Sequence, residues 1–472
     1  MPKRLSKTEK LSNMDAMIWK MEESTGLVTV TGLLEFGEIP SIDDIKMIVE
    51  DRLLRHNRFK QKIVQKESKL IWIEDALFNI NAHIHRIGLP SPCDNSALQE
   101  VISHLMSQPL DQSKPLWQLH VIENPITKKA TLLARLHHSI GDGISLIKVL
   151  FSLTHLTPEL SMEPYPEVQK KKVKQKNFFE QTAKNFEDAM GIGENVLKEA
   201  KNILSNKPDN LFEKVKSGIN STIEASKMLT SKPEAAKLYK GKPSVMKRVA
   251  WSAAFDLKKV KAIRKASGGT INEVLLSALT GALRNHMMHH GLVVKEDLPI
   301  AIPVSLHDEK SMMSMEVELA NKIGALPLQL PVKEFDYKKI ISMIKERSEE
   351  MKKSPLPIAT YSIANTIGGI LSREVQQTIT EVIGDKIMAS VSNVPGPQIP
   401  LYCAGRKVED MMFWIPQTRS IGMGISIISY NGKVRMGITT DEAIISDPEY
   451  LVYEFEDELQ EMYETFCEEK VE

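Results

Sequence analysis

One stretch of the chain, residues 130–145, combines a strand, a sharp turn and a helix around two adjacent histidines. The apolar run from Thr131 to Leu136 is typical of a buried strand. After His137 and His138, the segment Ser-Ile-Gly-Asp-Gly predicts a tight turn, because glycine adopts backbone angles that other residues avoid. The apolar residues that follow predict a helix with one buried face: Ile144, Ile147, Leu150 and Phe151. The fold must therefore place polar rings at the end of a buried strand.

His138 is the candidate general base, since imidazole, with an ordinary pKa of about 6.5, accepts protons near neutrality. Asp142 is expected either to orient this imidazole or to hold the turn. A purely structural histidine at a strand end stays open as an alternative. A metal site is less favoured, because adjacent strand residues such as His137 and His138 point to opposite faces. No His-Glu-x-x-His or Cys-x-x-Cys spacing accompanies them.

The chemistry that suits such a histidine needs no cofactor. A neutral imidazole takes the proton from a bound alcohol, and the resulting alkoxide attacks an activated acyl carbonyl. The chain has no Gly-x-Ser-x-Gly nucleophile elbow, so a covalent serine mechanism has no support. It also lacks a Gly-x-x-x-x-Gly-Lys phosphate loop.

Composition describes an ordinary globular protein with no affinity for nucleic acid. Of 472 residues, 42% are hydrophobic, and the 61 basic side chains balance the 61 acidic ones. Cys93, Cys403 and Cys467 have no motif spacing, which favours a reducing, cytoplasmic compartment. The basic start lacks the apolar core of a signal peptide. No run approaches the ~20 apolar residues that span a bilayer, so we expect any membrane contact to be peripheral.

The pattern of elements predicts an α+β fold in three segments: an N-terminal half over 1–166, a helical crossover or linker over 167–242, and a C-terminal half over 243–472. The crossover begins with a lysine-rich run, residues 170–176. Its helices either pack on the two halves or form an amphipathic element that lies on an anionic lipid surface. The sequence does not specify an oligomeric state.

Individual elements follow from periodicity, caps and turn residues. Strands are predicted at 27–36, 69–74, 117–123, 130–136, 247–256, 298–304, 322–330, 424–430 and 433–439. Helices are predicted at 41–54, 95–107, 257–266, 271–290, 333–353, 372–383 and 448–468. Asn431-Gly432 predicts a hairpin between the last two strands. Thr270 is the predicted N-cap of the helix at 271–290.

Four further features are candidate functional sites, and each also has a purely structural interpretation. Trp117 is typical of a core aromatic, and Asn272 at a helix start is typical of a capping region. The segment Ser392–Pro397, with Asn393 and Pro395, predicts a rigid loop that suits a tunnel wall or a simple turn. The cluster His286, His289 and His290, late in a helix, is expected to face solvent or the helix dipole instead of forming a ligand set.

The segment His137-His138-Ser139-Ile140-Gly141-Asp142-Gly143 matches the HHxxxDG motif of the CoA-dependent acyltransferase superfamily. Over nearly its whole length, the chain resembles the bacterial-type bifunctional wax ester synthase/diacylglycerol acyltransferase family. The order and spacing of short motifs carry this resemblance: Leu11-Ser-x-Met-Asp15, Pro109-Leu-Asp, Pro115-Leu-Trp117, Gly269-Thr-Ile-Asn-Glu273, Pro303-Val-Ser305, Asn393-Val-Pro-Gly-Pro397 and Gly422-x-Gly424.

The resemblance implies two chloramphenicol-acetyltransferase-like halves with an active-site tunnel between them. It implies that acyl-CoA is the donor, that diacylglycerol or a long-chain alcohol is the acceptor, and that the enzyme contacts a membrane or lipid inclusion peripherally. His138 would be the base, with His137 and Asp142 in support. The expected substrate-binding residues are Gly143, Asn272, Trp117, Asn393 and Pro395.

Three positions depart from the family pattern. Glu273 replaces the usual aspartate after Asn272, LVTVTG over Leu27–Gly32 replaces Pro-Met-His-Val-Gly, and His307 stands where arginine is common. Two other functions therefore compete with acyl transfer to an alcohol. One is a catalytically weak relative that uses the tunnel for lipid binding, and the other is a condensation-type enzyme, which the absence of carrier modules disfavours.

Overall fold

Two large β-sheets dominate the described parts of the computed structural model. These parts are residues 8–67, 69–164, 235–307, 319–353, 387–417 and 421–467, with the single residues 357, 360, 361, 364, 365, 384 and 386. The predicted helix at 372–383, the lysine-rich run 170–176 and nearly all of the predicted crossover lie outside the described residues.

The first sheet has six strands in the order β13-β14-β2-β7-β6-β5. Its members are β2 (Thr29–Phe36), β5 (Ile84–Gly88), β6 (Trp117–Glu123), β7 (Ala130–His137), β13 (Leu401–Cys403) and β14 (Arg406–Trp414). Every residue of β7 is buried, Arg135 included, as the mainly apolar sequence of this strand predicts. Strands β13 and β14 come from the last part of the chain. They join the first sheet because β14 pairs antiparallel with β2.

The second sheet has seven strands in the order β11-β10-β12-β15-β16-β8, with β9 also paired to β16. Its members are β8 (Lys247–Trp251), β9 (Phe255–Asp256), β10 (Leu298–Ser305), β11 (Ile323–Leu330), β12 (Ala389–Pro395), β15 (Met423–Tyr430) and β16 (Lys433–Asp441). Asn431 and Gly432 join β15 to β16 with φ values of 46° and 79°, the left-handed conformation that this hairpin turn requires.

The described structure also contains a third, three-stranded sheet, ten α-helices, the π-helix Val49–Leu53 and two 3₁₀-helices, Asn57–Lys60 and Ile80–Ala82. The small sheet holds β1 (Glu9–Lys10), β4 (Lys69–Glu74) and β3 (Gln61–Lys66). The helices are α1 (Asn13–Met21), α2 (Ile42–Ile48), α3 (Asn95–Met106), α4 (Gly143–Ser152), α5 (Pro158–Met162), α6 (Ala236–Tyr239), α7 (Leu257–Ser267), α8 (Ile271–His289), α9 (Tyr337–Lys352) and α10 (Pro448–Cys467).

Side-chain caps explain where several helices begin. Ser41 accepts a hydrogen bond from the backbone of Asp43, as predicted. Thr270 and Glu273 form a reciprocal capping box at the start of α8. The longer acid at position 273 therefore has a local structural role, because its carboxylate accepts the Thr270 N–H at 2.7 Å.

Four predictions need correction. The strand predicted at 247–256 is two strands, β8 and β9. The helix predicted to start at 333 starts at Tyr337, because the Asp336 side chain caps it. The segment from Ser392, predicted as a loop, continues β12 to Pro395. His286, expected to face solvent, is completely buried beside Tyr239.

The two halves are joined by polar contacts as well as by β14. On α3, Ser103 Oγ accepts the Val249 N–H at 3.0 Å, and Ser107 Oγ accepts the Lys247 N–H at 2.8 Å. The buried Lys247 ammonium lies 2.5 Å from Asp441 and donates to the Thr25 carbonyl at 3.0 Å. Because β13 and β14 lie in the first sheet, the part of the chain after residue 243 contributes strands to both large sheets. Within the described parts, no helix combines the length and apolar character needed to cross a bilayer.

Helices α8 and α10 approach each other closely at Gly281. A Cβ at this position would overlap the carboxyl group of Glu458, which is buried. That carboxylate is held in place by the Tyr337 hydroxyl at 2.9 Å, Asn285 Nδ2 at 3.0 Å and the Arg284 guanidinium at 3.2 Å. Glycine at position 281 is thus required by packing.

We predict that Gly281→Ala lowers the free energy of unfolding by about 1–3 kcal/mol, the typical cost of overpacking a filled site. Helix propensity alone predicts the opposite sign, a gain of about 1 kcal/mol. Urea unfolding of the wild type, Gly281→Ala, Glu458→Ala and the double variant measures both effects. A stabilised single variant, or equal costs with and without the Glu458 side chain, would contradict the packing argument.

Candidate active site

A mainly apolar cleft of about 770 Å³, partly open to solvent, lies between the two large sheets. The first half supplies Val30, His138, Asp142, Gly143, Ile144 and Ile147; the second supplies Pro303, Ser305, Ile323, Ser390, Ser392 and Val394. The segment after β14 closes the cleft with Ile415 and Pro416, next to Phe413. The LVTVTG departure from the family pattern thus forms the start of β2 and contributes Val30 to the wall.

His138 stands just beyond β7, where the sequence predicts it. Its backbone N–H donates to the Val28 carbonyl at 2.9 Å, which fixes the residue against the start of β2. Its ring lines the cleft, and its Nδ1 lies 2.9 Å from Oδ1 of Asn321. Asn321 is 183 positions away in the sequence and belongs to the second half of the chain.

The contacts of Asn321 determine which nitrogen of His138 carries the proton. Asn321 Nδ2 lies 2.8 Å from the His138 carbonyl oxygen and 2.8 Å from Oδ1 of Asp15. A carbonyl oxygen only accepts hydrogen bonds, so the amide must present its NH₂ group there and its oxygen to the ring. The ring therefore donates from Nδ1, and Nε2 keeps the lone pair that a base needs.

Burial lowers the pKa of the His138 imidazole below its ordinary value of 6.5. The charge of Asp142 and the hydrogen bond to Asn321 act in the opposite direction but do not cancel the effect of burial. The folded protein therefore keeps this ring neutral at pH 7. Its basic function is lost only as the pH falls through the lowered pKa.

Asp142 braces the turn and links it to the second half. One carboxylate oxygen accepts the Ser145 N–H at 3.0 Å and so caps α4. The other accepts the Lys322 N–H at 3.1 Å and lies 2.7 Å from Nε2 of His307. Although burial acts to raise the pKa of Asp142, His307 and the backbone N–H groups hold it below its usual value. The histidine that replaces the family's arginine thus contacts the motif carboxylate.

His137 is completely buried and is not among the residues that line the cleft. Its Nδ1 accepts the Ser139 N–H at 3.0 Å, so the proton is on Nε2, which lies 3.1 Å from the Glu22 carboxylate. Glu22 in turn accepts the Val28 N–H at 3.2 Å. The two adjacent histidines thus carry their protons on different nitrogens, Nδ1 in His138 and Nε2 in His137. Through Glu22, His137 is linked to Val28, whose carbonyl accepts the His138 N–H.

The other predicted substrate contacts divide between the cleft and the core. Gly143 lines the cleft, and a Cβ there would meet no atom within 4 Å. Asn272, Asn393 and Pro395 are not among the lining residues. Residues of β12 alternate between faces, and the lining members are Ser390, Ser392 and Val394. Asn393 Nδ2 instead donates to Asn272 Oδ1 at 3.0 Å, beside the start of α8.

Trp117 also lies away from the cleft. Its indole is fully buried, stacks on His83 with ring centroids 4.4 Å apart, and donates to the Phe59 carbonyl at 2.8 Å. With its only donor satisfied inside the core, this side chain has a packing position. We therefore leave Trp117 out of the proposed site.

Sequence reasoning missed Asn321, Asp15 and Glu22. The Leu11-Ser-x-Met-Asp15 motif was a signal for Asp15, since its last residue reaches the site. Glu22 and Asn321 have no local signal, because what distinguishes them is a contact across the fold. Such residues are recognised only when the structure shows which distant segments of the chain are in contact.

Models of two domains match most of the chain. The wax ester synthase/diacylglycerol acyltransferase catalytic domain matches residues 11–275, and the WS/DGAT C-terminal domain matches residues 319–463. The chain belongs to the wax ester synthase/diacylglycerol acyltransferase family. The predicted recognition and the assignment as an acyltransferase are therefore confirmed.

Relatives of known name support this assignment. A probable diacylglycerol O-acyltransferase of Mycobacterium tuberculosis is 24% identical over 470 residues, covering 95% of this chain and 94% of the relative. The O-acyltransferase WSD of Acinetobacter baylyi is 25% identical over 420 residues, covering 84% of this chain and 83% of the relative.

The fold is that of solved acyltransferases. A wax ester synthase/diacylglycerol acyltransferase from Marinobacter aquaeolei aligns with a TM-score of 0.68 at 19% identity, covering 97% of this chain and 99% of that one. Trichothecene 15-O-acetyltransferase of Fusarium sporotrichioides aligns with a TM-score of 0.62 at 13% identity, covering 97% and 95%. The predicted α+β fold of two sheet-rich halves is confirmed.

We predict that Asn321→Leu lowers kcat for acyl transfer by about 10²-fold, because the base loses its fixed tautomer. The acidic limb of the pH–rate profile should lie below pH 6.5 in the wild type and move further down in the variant, since the Asn321 contact raises the His138 pKa. In a His138→Ala background the same substitution should cost nothing more. An unchanged acidic limb, or an equal loss without His138, would assign Asn321 a structural role only.

Proposed function

We propose that the protein transfers a fatty acyl group from acyl-CoA to the hydroxyl of diacylglycerol or a long-chain alcohol, with His138 as general base. The observation that carries this proposal is the neutral His138 ring in an apolar cleft, with its Nδ1 proton directed at Asn321. The products are triacylglycerol or a wax ester, and free CoA.

The proposed reaction needs only groups from the chain and the two substrates. His138 Nε2 accepts the hydroxyl proton as the acceptor oxygen bonds to the thioester carbonyl carbon. The carbon–sulfur bond then breaks, and the departing CoA sulfur takes the proton from the imidazolium. Positioned proton transfer of this kind contributes about 10²–10⁴-fold, and aligning two substrates in one cleft adds to it.

The walls of the cleft favour long hydrocarbon chains. Val30, Ile144, Ile147 and Ile323 present apolar surface beside His138. Each buried methylene contributes about 0.8 kcal/mol, so chains long enough to fill the cleft are bound much more tightly than acetyl groups. We assign Asp142 and His137 as positioning residues and Gly143 as the residue that leaves room for substrate.

The remaining parts of the proposal concern organisation and location. We propose that residues 1–166 and 243–472 act as the two halves of one catalytic unit, joined by 167–242. Substrates of this class partition into lipid, so the enzyme would work at a membrane or lipid-inclusion surface. The lysine-rich start of the crossover supports contact with anionic headgroups.

The test is acyl transfer by the purified full chain. With palmitoyl-CoA and either dipalmitoylglycerol or hexadecanol, we expect ester formation with equal CoA release, and a loss of at least 10²-fold in His138→Ala. His104→Ala is the matched control, because His104 is an exposed helix histidine that contacts Gln108. If the wild type binds these lipids but forms no ester, the chain is a lipid-binding relative. Ester formation at wild-type rate in His138→Ala would remove His138 as the base.

A further inference from the structure

Two histidines and an aspartate meet on the second half of the molecule, away from the cleft. His286 and His290 are four residues apart at the end of α8, so their side chains share one face of the helix. Asp447 lies immediately before α10, the helix that packs along α8. None of the three lines the cleft around His138.

The ligand atoms of this trio already have the spacing of a metal site. Nε2 of His290 lies 3.0 Å from Oδ2 of Asp447, and Nε2 of His286 lies 3.5 Å from Oδ1. One potential ligand atom from each residue lies within 4.8 Å of the others. Tetrahedral zinc with bonds of about 2.0–2.1 Å requires ligand atoms roughly 3.3 Å apart, so small side-chain rotations suffice.

His286 is the residue that points most directly to a ligand. Its ring is completely buried, and its Nε2 has no hydrogen-bond partner among the described residues. Its other nitrogen, Nδ1, lies 3.1 Å from the hydroxyl of Tyr239, a residue that is also completely buried. A ring held through Nδ1, with Nε2 facing a carboxylate at 3.5 Å without a hydrogen bond, has the arrangement of a metal-binding histidine and its outer partner.

We propose that His286, His290 and Asp447 bind a divalent transition-metal ion, zinc being the one that fits best. Two imidazoles and one carboxylate suit zinc better than magnesium or calcium, which prefer all-oxygen sets. The outward side is accessible, since the side chains of His290 and Asp447 are 34% and 35% exposed, so water can complete the coordination.

The position of the site indicates a structural role. It connects the last turn of α8 to the start of α10, and Tyr239 connects it to α6. A bound ion stabilises the folded chain increasingly as the free ion concentration exceeds the dissociation constant, because the unfolded chain does not hold the three ligands together. The site does not depend on the proposed acyl transfer.

Isothermal titration of the metal-free full chain with ZnCl₂, against a competing chelator, tests the proposal. We expect the wild type to bind one zinc ion tightly. Binding should be at least tenfold weaker in His290→Ala and in Asp447→Asn. In Tyr239→Phe it should be about tenfold weaker. Asp447→Asn keeps the size of the side chain and removes its charge. His289→Ala is the matched control, because its ring stacks on Tyr450 and contacts His290 edge-on but supplies no ligand atom to the trio.

A second readout separates metal binding from misfolding. At the same zinc concentration, the thermal midpoint should rise for the wild type and for His289→Ala, and should rise clearly less for His290→Ala and Asp447→Asn. Circular dichroism of the metal-free variants checks that each is folded. If the wild type takes up no zinc, or if His290→Ala binds it with wild-type affinity, the trio is only a hydrogen-bonded cluster and the proposal is overturned.

Discussion

The amide of Asn321 is the contact on which the active site depends. It accepts from the His138 ring, donates to the His138 carbonyl and donates to Asp15 on α1. Its neighbours reinforce the same junction, since the Ala320 carbonyl accepts the Asp142 N–H at 3.4 Å and the Lys322 N–H bonds the Asp142 carboxylate. Three consecutive residues of the second half thus hold the histidine turn of the first.

These contacts explain why both sheets are needed to build a site with a single catalytic histidine. The base comes from the end of β7, but its tautomer is determined by a residue that precedes β11. The cleft in which it acts has one wall from each sheet. Strand β14, from the last part of the chain, pairs with β2 in the first sheet, and the segment after it supplies Ile415 to the cleft itself.

Much of the fold follows from local signals. Sequence reasoning correctly places the elements that depend on residues close together in the chain. These are the mainly apolar strand β7, the Asn431-Gly432 hairpin and the Thr270 capping box. Strand β14 has no such signal, because charged residues such as Arg406, Lys407 and Glu409 interrupt its apolar pattern. Its partner, β2, is far away in sequence.

The site was predictable only in part. The HHxxxDG motif identifies His138 and Asp142, because glycines and a capping acid make the turn recognisable. A motif does not reveal the face of a strand or helix on which a residue lies. Asn393 and Asn272 therefore pair beside α8 instead of lining the cleft. His286 was misassigned for a related reason: its burial depends on α6 and on the segment before α10, which its own helix does not reveal.

The active site depends on Asn321 keeping the lone pair of His138 on Nε2. A long-range ¹H–¹⁵N correlation spectrum of the ¹⁵N-histidine-labelled chain at pH 7, with His138 assigned by comparison with His138→Ala, measures this directly. We expect a neutral ring that is protonated at Nδ1, and loss of this single tautomer in Asn321→Leu. A ring protonated at Nε2, or at both nitrogens, would contradict it.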